Sequence, residues 1–70
     1  MVMNEVKSSA IKAIGYEPRT RVLTIEFNSG LVYQYINFSL LDFAEFMNAP
    51  SKGIHFYQQI KPYFTGVQIF

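Results

Sequence analysis

The chain contains no cysteine. No disulfide can staple it, and thiol redox chemistry is excluded. There is one histidine, His55, and no cluster of carboxylates at ligand spacing, so the usual metal staple is missing too and no cofactor is expected. Charge is also scarce. Asp, Glu, Lys and Arg make up 16% of the residues, against about 25% in an average domain. The net charge of +1 is not the basic footprint of a dedicated nucleic-acid protein, and the Lys and Arg residues are spread out, so any polyanion contact must be local. The first residues, Met1-Val2-Met3-Asn4-Glu5-Val6-Lys7, lack the basic start and apolar run of a signal peptide. No apolar stretch approaches the ~20 residues of a membrane helix. The expected location is therefore cytoplasmic. No repeat, linker or low-complexity tract divides the chain, which reads as a single domain over residues 1–70.

Apolar surface is what the chain has in excess. Hydrophobic residues reach 50% in 70 residues. A domain this small has a high surface-to-volume ratio and cannot hide half its side chains. Copies of the chain are expected to bury the remainder against one another, as a homo-oligomer and most simply a dimer.

The sequence predicts three strands. Val6 to Tyr16 reads as the first, with a weak alternation that leaves its inner face open. Glu17-Pro18-Arg19-Thr20 is a turn, since proline fixes φ and cannot continue a ladder. Arg21 to Phe27 is the clearest strand: Leu23, Ile25 and Phe27 share one face and Val22, Thr24 and Glu26 the other. Asn28-Ser29-Gly30 is a three-residue hairpin loop with Gly30 in the left-handed position. A pairing of Phe27 with Leu31 then sets Ile25 opposite Tyr33 and Leu23 opposite Tyr35. The face bearing Val22, Thr24, Glu26, Val32, Gln34 and Ile36 is the candidate oligomer face.

Two helices follow. Ser39 is an N-cap with Asp42 three residues on, and Phe38 and Phe43 are spaced as a hydrophobic staple. Leu40, Phe43 and Met47 form the expected inward stripe, with Phe46 near it. Pro50 ends this helix, and Ser51 caps a second running to Ile60 or Lys61. Gly53 in its first turn is not there for helix propensity and points to close approach by a strand or a ligand. Val67 to Phe70 is a short last strand or an ordered tail. The expected fold is α+β, a three-stranded antiparallel meander followed by two short helices packed on one face.

Several phrases in order resemble the KTSC domain, a small family found at the C-terminus of some lysyl-tRNA synthetases and as single-domain bacterial and phage proteins. They are Val6-Lys7-Ser8-Ser9 with Ile14-Gly15-Tyr16, Leu23 with Phe27 and Gly30, Tyr33-Gln34-Tyr35, Met47-Asn48-Ala49, and Ser51-Lys52-Gly53 with Phe56 and Ile60. The synthetase association implies RNA binding. The chain departs from the family pattern at Ser39, where proline is usual, and at His55, where an aromatic is usual. It departs again in the uncharged end Thr65-Gly66-Val67-Gln68-Ile69-Phe70, where the family is often basic. That last departure weakens the RNA reading.

The candidate contacts have competing explanations. Tyr33 and Tyr35, two apart on a strand, lie side by side on one sheet face. They are either a stacking platform for bases or one wall of a core. Ser8 and Ser9 beside Lys7 offer hydroxyls and N–H groups to a phosphate, or are plain edge residues. Ser51, Lys52 and Gly53 open a helix and suit an anion, or form an ordinary capped turn. Lys12, Arg19 and Arg21 could steer a nucleic-acid backbone around the first turn, or act as isolated solubilising charges. His55 adds a polar edge to the second helix. No nucleophile or carboxylate pair is arranged around it, so catalysis is not expected. The reading is a non-enzymatic binding module for RNA or a nucleotide. One form of it is an oligomeric phage sponge that sequesters a nucleotide signal. The alternative is a protein-protein docking module with no nucleotide ligand.

Overall fold

A computed structural model describes residues 2–70. Five strands form one antiparallel sheet in chain order: β1 (Met3–Glu5), β2 (Ile11–Glu17), β3 (Val22–Phe27), β4 (Val32–Tyr35) and β5 (Gly66–Gln68). Helix α1 (Leu40–Asn48) and helix α2 (Lys52–His55) lie in the chain between β4 and β5. The α+β class and two helices are as expected, but the sheet has five strands rather than three.

Both extra strands have a physical origin. The predicted first strand is broken because the Ser8 hydroxyl accepts the N–H groups of Ala10 and Ile11, each at 3.2 Å. This local turn competes with the ladder. The residues before it fold back as β1, which pairs Asn4 with Ile14 and Glu5 with Ala13. β5 is anchored to β4 by the pairs Gln34–Val67 and Tyr35–Gly66. Backbone bonds from Ile69 N to Val32 O (2.8 Å) and Val32 N to Phe70 O (3.0 Å) continue its hold on β4.

The weak alternation of β2 also has a cause. Ile11 pairs with Phe27 and Ala13 with Glu26, so Lys12 is an extra residue in a bulge. The bulge puts Ile11 and Ile14 on the same side, and both are fully buried. The β3–β4 hairpin has the expected register, Leu23 opposite Tyr35 and Ile25 opposite Tyr33. Gly30 closes it at φ 96°, the left-handed conformation its position requires.

In α1 the Ser39 hydroxyl accepts the Asp42 N–H at 3.0 Å, as a cap should. The staple closes through a third ring. Phe43 stacks on Tyr16 (centroids 4.8 Å apart, 13° between planes), and Phe38 meets Tyr16 edge-on at 6.4 Å. The Tyr16 hydroxyl donates to the Phe38 carbonyl. Phe46 is the fully buried residue of α1, with Phe43 and Met47 packed beside it. Leu40, expected inward, is 63% exposed. The helix turns its Phe43–Phe46–Met47 face to the sheet, which leaves its first turn at the rim.

After α2 the helix widens into a π-helical turn over Phe56–Ile60, with Lys61 N donating to Phe56 O at 2.9 Å. Both ends of the turn, Phe56 and Ile60, are buried. With Phe46 they cover the sheet face carrying Ile14, Leu23, Ile25 and Tyr35. On the opposite face Thr24 and Gln34 stand side by side, joined by a 3.4 Å hydrogen bond from Gln34 Nε2 to Thr24 Oγ1.

Candidate ligand-binding groove

The strand register sends both tyrosine rings to the helix side of the sheet, where they are treated differently. Tyr35 is 4% exposed and belongs to the core, whereas Tyr33 is half-buried. Their rings run nearly parallel, 6.4 Å apart and 21° from coplanar. Phe27 meets Tyr33 edge-on at 5.9 Å and Phe56 meets Tyr35 edge-on at 5.8 Å. The Tyr33 hydroxyl donates to Gln68 Oε1 at 3.2 Å. Burial first, and the neighbouring Tyr33 second, push the Tyr35 phenol from the usual 10.0 up to about 12.

These rings form part of a groove of about 560 Å³ between the β3–β4 hairpin and the π-helical turn. Its walls are apolar and aromatic: Phe27, Leu31, Tyr33, Phe56, Tyr57 and Phe64. Polar groups sit at its lip, on Ser9 and Asn28, and Lys61 contributes the charge. Lys61 Nζ lies 5.1 Å from the centroid of the Tyr57 ring, a cation–π contact. Gly66 closes the end of the groove beside Tyr35, whose ring lies so close that a Cβ would not fit.

A second cleft, of about 440 Å³, adjoins the first across Tyr57, Ser9 and Ala10, which line both. It brings Ser8 and Ser9 against Ser51, Lys52 and Gly53, with Lys7 at its edge. Two motifs distant in sequence thus meet. Their polar atoms are largely used internally. Ser8 Oγ holds the turn before β2. Ser51 Oγ accepts from Ile54 N at 3.3 Å, and Lys52 Nζ donates to Ala49 O at 2.6 Å.

Gly53 does not make room for a strand. A Cβ there would lie 3.7 Å from Ser8 Oγ and 3.9 Å from Ala10 Cβ, which is ordinary contact. Gly53→Ala is therefore expected to stabilise the fold by about 0.5–1 kcal/mol, the helix preference for alanine. A raised thermal midpoint checks this, and a lowered one would mean that the backbone there is constrained in some other way. If the glycine serves a ligand, the same variant binds less well while melting higher.

The remaining candidates lie elsewhere. Lys12, in the β2 bulge, has its ammonium 3.9 Å from Glu26. Arg21 ends the β2–β3 turn at φ 58° and gives its carbonyl to Phe38 N. Arg19 lies in the same turn, whereas Lys12 sits at the other end of β2. His55 stacks on Phe46 (5.3 Å, 19°) and lines a separate cleft of about 220 Å³ with Asp42 and Glu45. The sequence reading missed Phe27, Tyr57, Lys61, Phe64 and Gly66 as groove residues. Two signals were available: a glycine inside a strand, which marks close backbone approach, and Tyr57 and Lys61 at the i, i+4 spacing of one helix face. Among the described residues, no three His, Cys, Asp or Glu side chains converge as metal ligands, and no helix is long and apolar enough to cross a membrane.

The sequence profile of the KTSC domain matches residues 7–64, both motifs of the second cleft and every aromatic of the groove included. The chain belongs to the KTSC family. A crystal structure of a KTSC domain protein from Yersinia pestis superposes with a TM-score of 0.94 at 38% identity, covering 99% of this chain and 97% of that one. The chain is 46% identical over 63 residues to a lysine–tRNA ligase of Nostoc, matching 90% of this chain but 11% of the ligase. It therefore spans about a tenth of the length of such relatives. A protein of Tsukamurella paurometabola is 34% identical over 67 residues, covering 96% of this chain and 100% of that protein. KTSC domains thus occur both as a small part of a ligase and as nearly the whole of a short chain.

Proposed function

We propose that this KTSC domain is a non-enzymatic binding module whose aromatic groove receives a planar ring from RNA or a nucleotide. One observation carries the reading: a groove of about 560 Å³ walled by aromatic side chains, with the Lys61 ammonium at its rim. Stacking on such walls contributes about 1–3 kcal/mol per base and tolerates any base, since every base has a π-face. Tyr33, half-buried, is the more accessible ring of the Tyr33–Tyr35 pair and makes the contact; Tyr35 backs it from the core. Lys61 lines the groove and is the cation for a phosphate leaving it, with Lys52 and Lys7 lining the adjoining cleft across Tyr57. The lysine–tRNA ligase relatives support RNA as the source of the ring. A soluble nucleotide held by an oligomer, as in a phage sponge, is the other form of the same reading.

The test is titration with nucleoside monophosphates, cyclic dinucleotides and short single-stranded RNA, followed by native mass spectrometry and thermal shift. A ligand that binds the folded state raises its midpoint. Tyr33→Ala and Lys61→Ala are each expected to weaken binding about tenfold, near 1.4 kcal/mol. RNA affinity should fall steeply with salt, and mononucleotide affinity less so. Failure of the whole set to bind would remove the nucleotide reading. It would favour protein docking, to which the exposed Ile36, Leu40 and Leu41 are suited.

A further inference from the structure

The two edges of the sheet are unlike. β1 reads Met-Asn-Glu, with Lys7 two residues beyond it, so charge sits on that edge. Charged residues are how an open edge resists pairing with another chain. β5 has no such protection. From Pro62 to Phe70 no side chain is charged, and Val67, Ile69 and Phe70 are 57%, 49% and 82% exposed. Backbone bonding makes the edge longer than the strand itself, since Ile69 and Phe70 remain tied to Val32. Ile69 sends its N–H to Val32. Alternation along a strand then turns the backbone N–H and C=O groups of Gly66 and Gln68 away from β4, to the open side.

We propose that β5 pairs antiparallel with β5 of a second copy of this chain, joining two five-stranded sheets into one. The occupant is a second copy because the edge is self-complementary. An antiparallel two-fold sets each outward donor opposite an acceptor of the same strand, and the uncharged segment meets itself without repulsion. The chain's net charge of +1 adds little long-range opposition. The two-fold axis passes close to Val67 and Gln68, perpendicular to the joined sheet. Both helix layers and both aromatic grooves then lie on the same face, either side of the axis. Gly66 lines each groove, so the interface runs beside the site without needing a ligand. This dimer does not depend on the nucleotide reading, and its test contains no nucleotide.

The experiment is sedimentation equilibrium of the full chain from micromolar to hundreds of micromolar, against a monomer mass of 8.1 kDa. The wild-type chain is expected at twice that mass. Val67→Lys and Val67→Glu, at an exposed position where folding is not at risk, are each expected to run as folded monomers. An equimolar mixture of the two should dimerise again, because the opposite charges meet across the axis. Gln68→Pro, which removes an outward N–H, should be monomeric as well. A wild-type monomer throughout the range would overturn the proposal. So would a dimer that survives both charge variants, since its interface would lie elsewhere.

Discussion

Gly66→Ala is expected to destabilise the domain by about 2 kcal/mol, within the 1–3 kcal/mol typical of overpacking a closed site. The new methyl group would sit 2.6 Å from Tyr35 Cε2 and 2.9 Å from Cζ, distances that real side chains do not tolerate. Tyr35 cannot easily move away: it is 4% exposed, with Tyr33 along one side and the Phe56 ring against it. Either the phenol leaves its rotamer and disturbs the core, or β5 lifts off β4 and the Tyr35–Gly66 and Gln34–Val67 pairs are lost. A core of this size supplies only about 3–5 kcal/mol in all, so the loss is a large share of it. In a chain this short it lowers the thermal midpoint by roughly 8–16 °C. A circular-dichroism melt measures this directly. The mechanism has its own check. In a Tyr35→Leu background the ring atoms that block the methyl are gone, so Gly66→Ala should cost much less there, with a coupling of about 1 kcal/mol or more. Equal costs in the two backgrounds would mean that the clash with Tyr35 is not the cause.

Gly66 also marks where the sequence stopped being readable. The β3–β4 hairpin was legible residue by residue, because a strict period of two and the Asn28-Ser29-Gly30 loop both fix the same register, and that register is present. Helix α1 was legible at its ends, where Ser39 and Pro50 act locally, but not in its first turn, where the position of the sheet decides that Leu40 is outside. β2 was ambiguous for a specific reason: the bulge at Lys12 shifts the phase of the alternation halfway along. β1 is three residues of mixed polarity that form a strand only because β2 is there to receive them. The groove shows the same limit. Tyr33 could be singled out from its own neighbourhood, but Phe27, Tyr57 with Lys61, and Gly66 come from three parts of the chain and converge only in the folded domain. The expectation that Gly53 makes room for a strand failed, while the glycine that does allow a close approach, Gly66, lies just before Val67–Phe70, the segment open as strand or tail.

Alkaline pH gives the second large effect. Burial and the adjacent Tyr33 raise the Tyr35 phenol to about 12 in the folded chain, whereas in the unfolded chain it titrates near 10. Between these values the folded state keeps a proton that the unfolded state has lost. Stability must then fall as pH rises, because the unfolded state binds fewer protons. The stabilisation is complete below about pH 10, declines through the interval, and is gone above about pH 12. Two pH units correspond to about 3 kcal/mol at most, of the same order as the whole margin of a small domain. Urea unfolding at closely spaced pH values should therefore show a steep loss beginning near pH 10. Tyr35→Phe separates this group from every other one in the chain. Its ring keeps the packing against Phe56 and Tyr33, so the fold at neutral pH should survive, while the alkaline loss should become shallower. An unchanged slope in Tyr35→Phe would assign the alkaline transition to other groups. It would also imply that the phenol is far better solvated than its place beneath Tyr33 suggests. If instead the slope is relieved but a ring-binding ligand is still held by Tyr33, the two tyrosines have divided roles, with Tyr35 supporting the wall from within and Tyr33 presenting it to the groove.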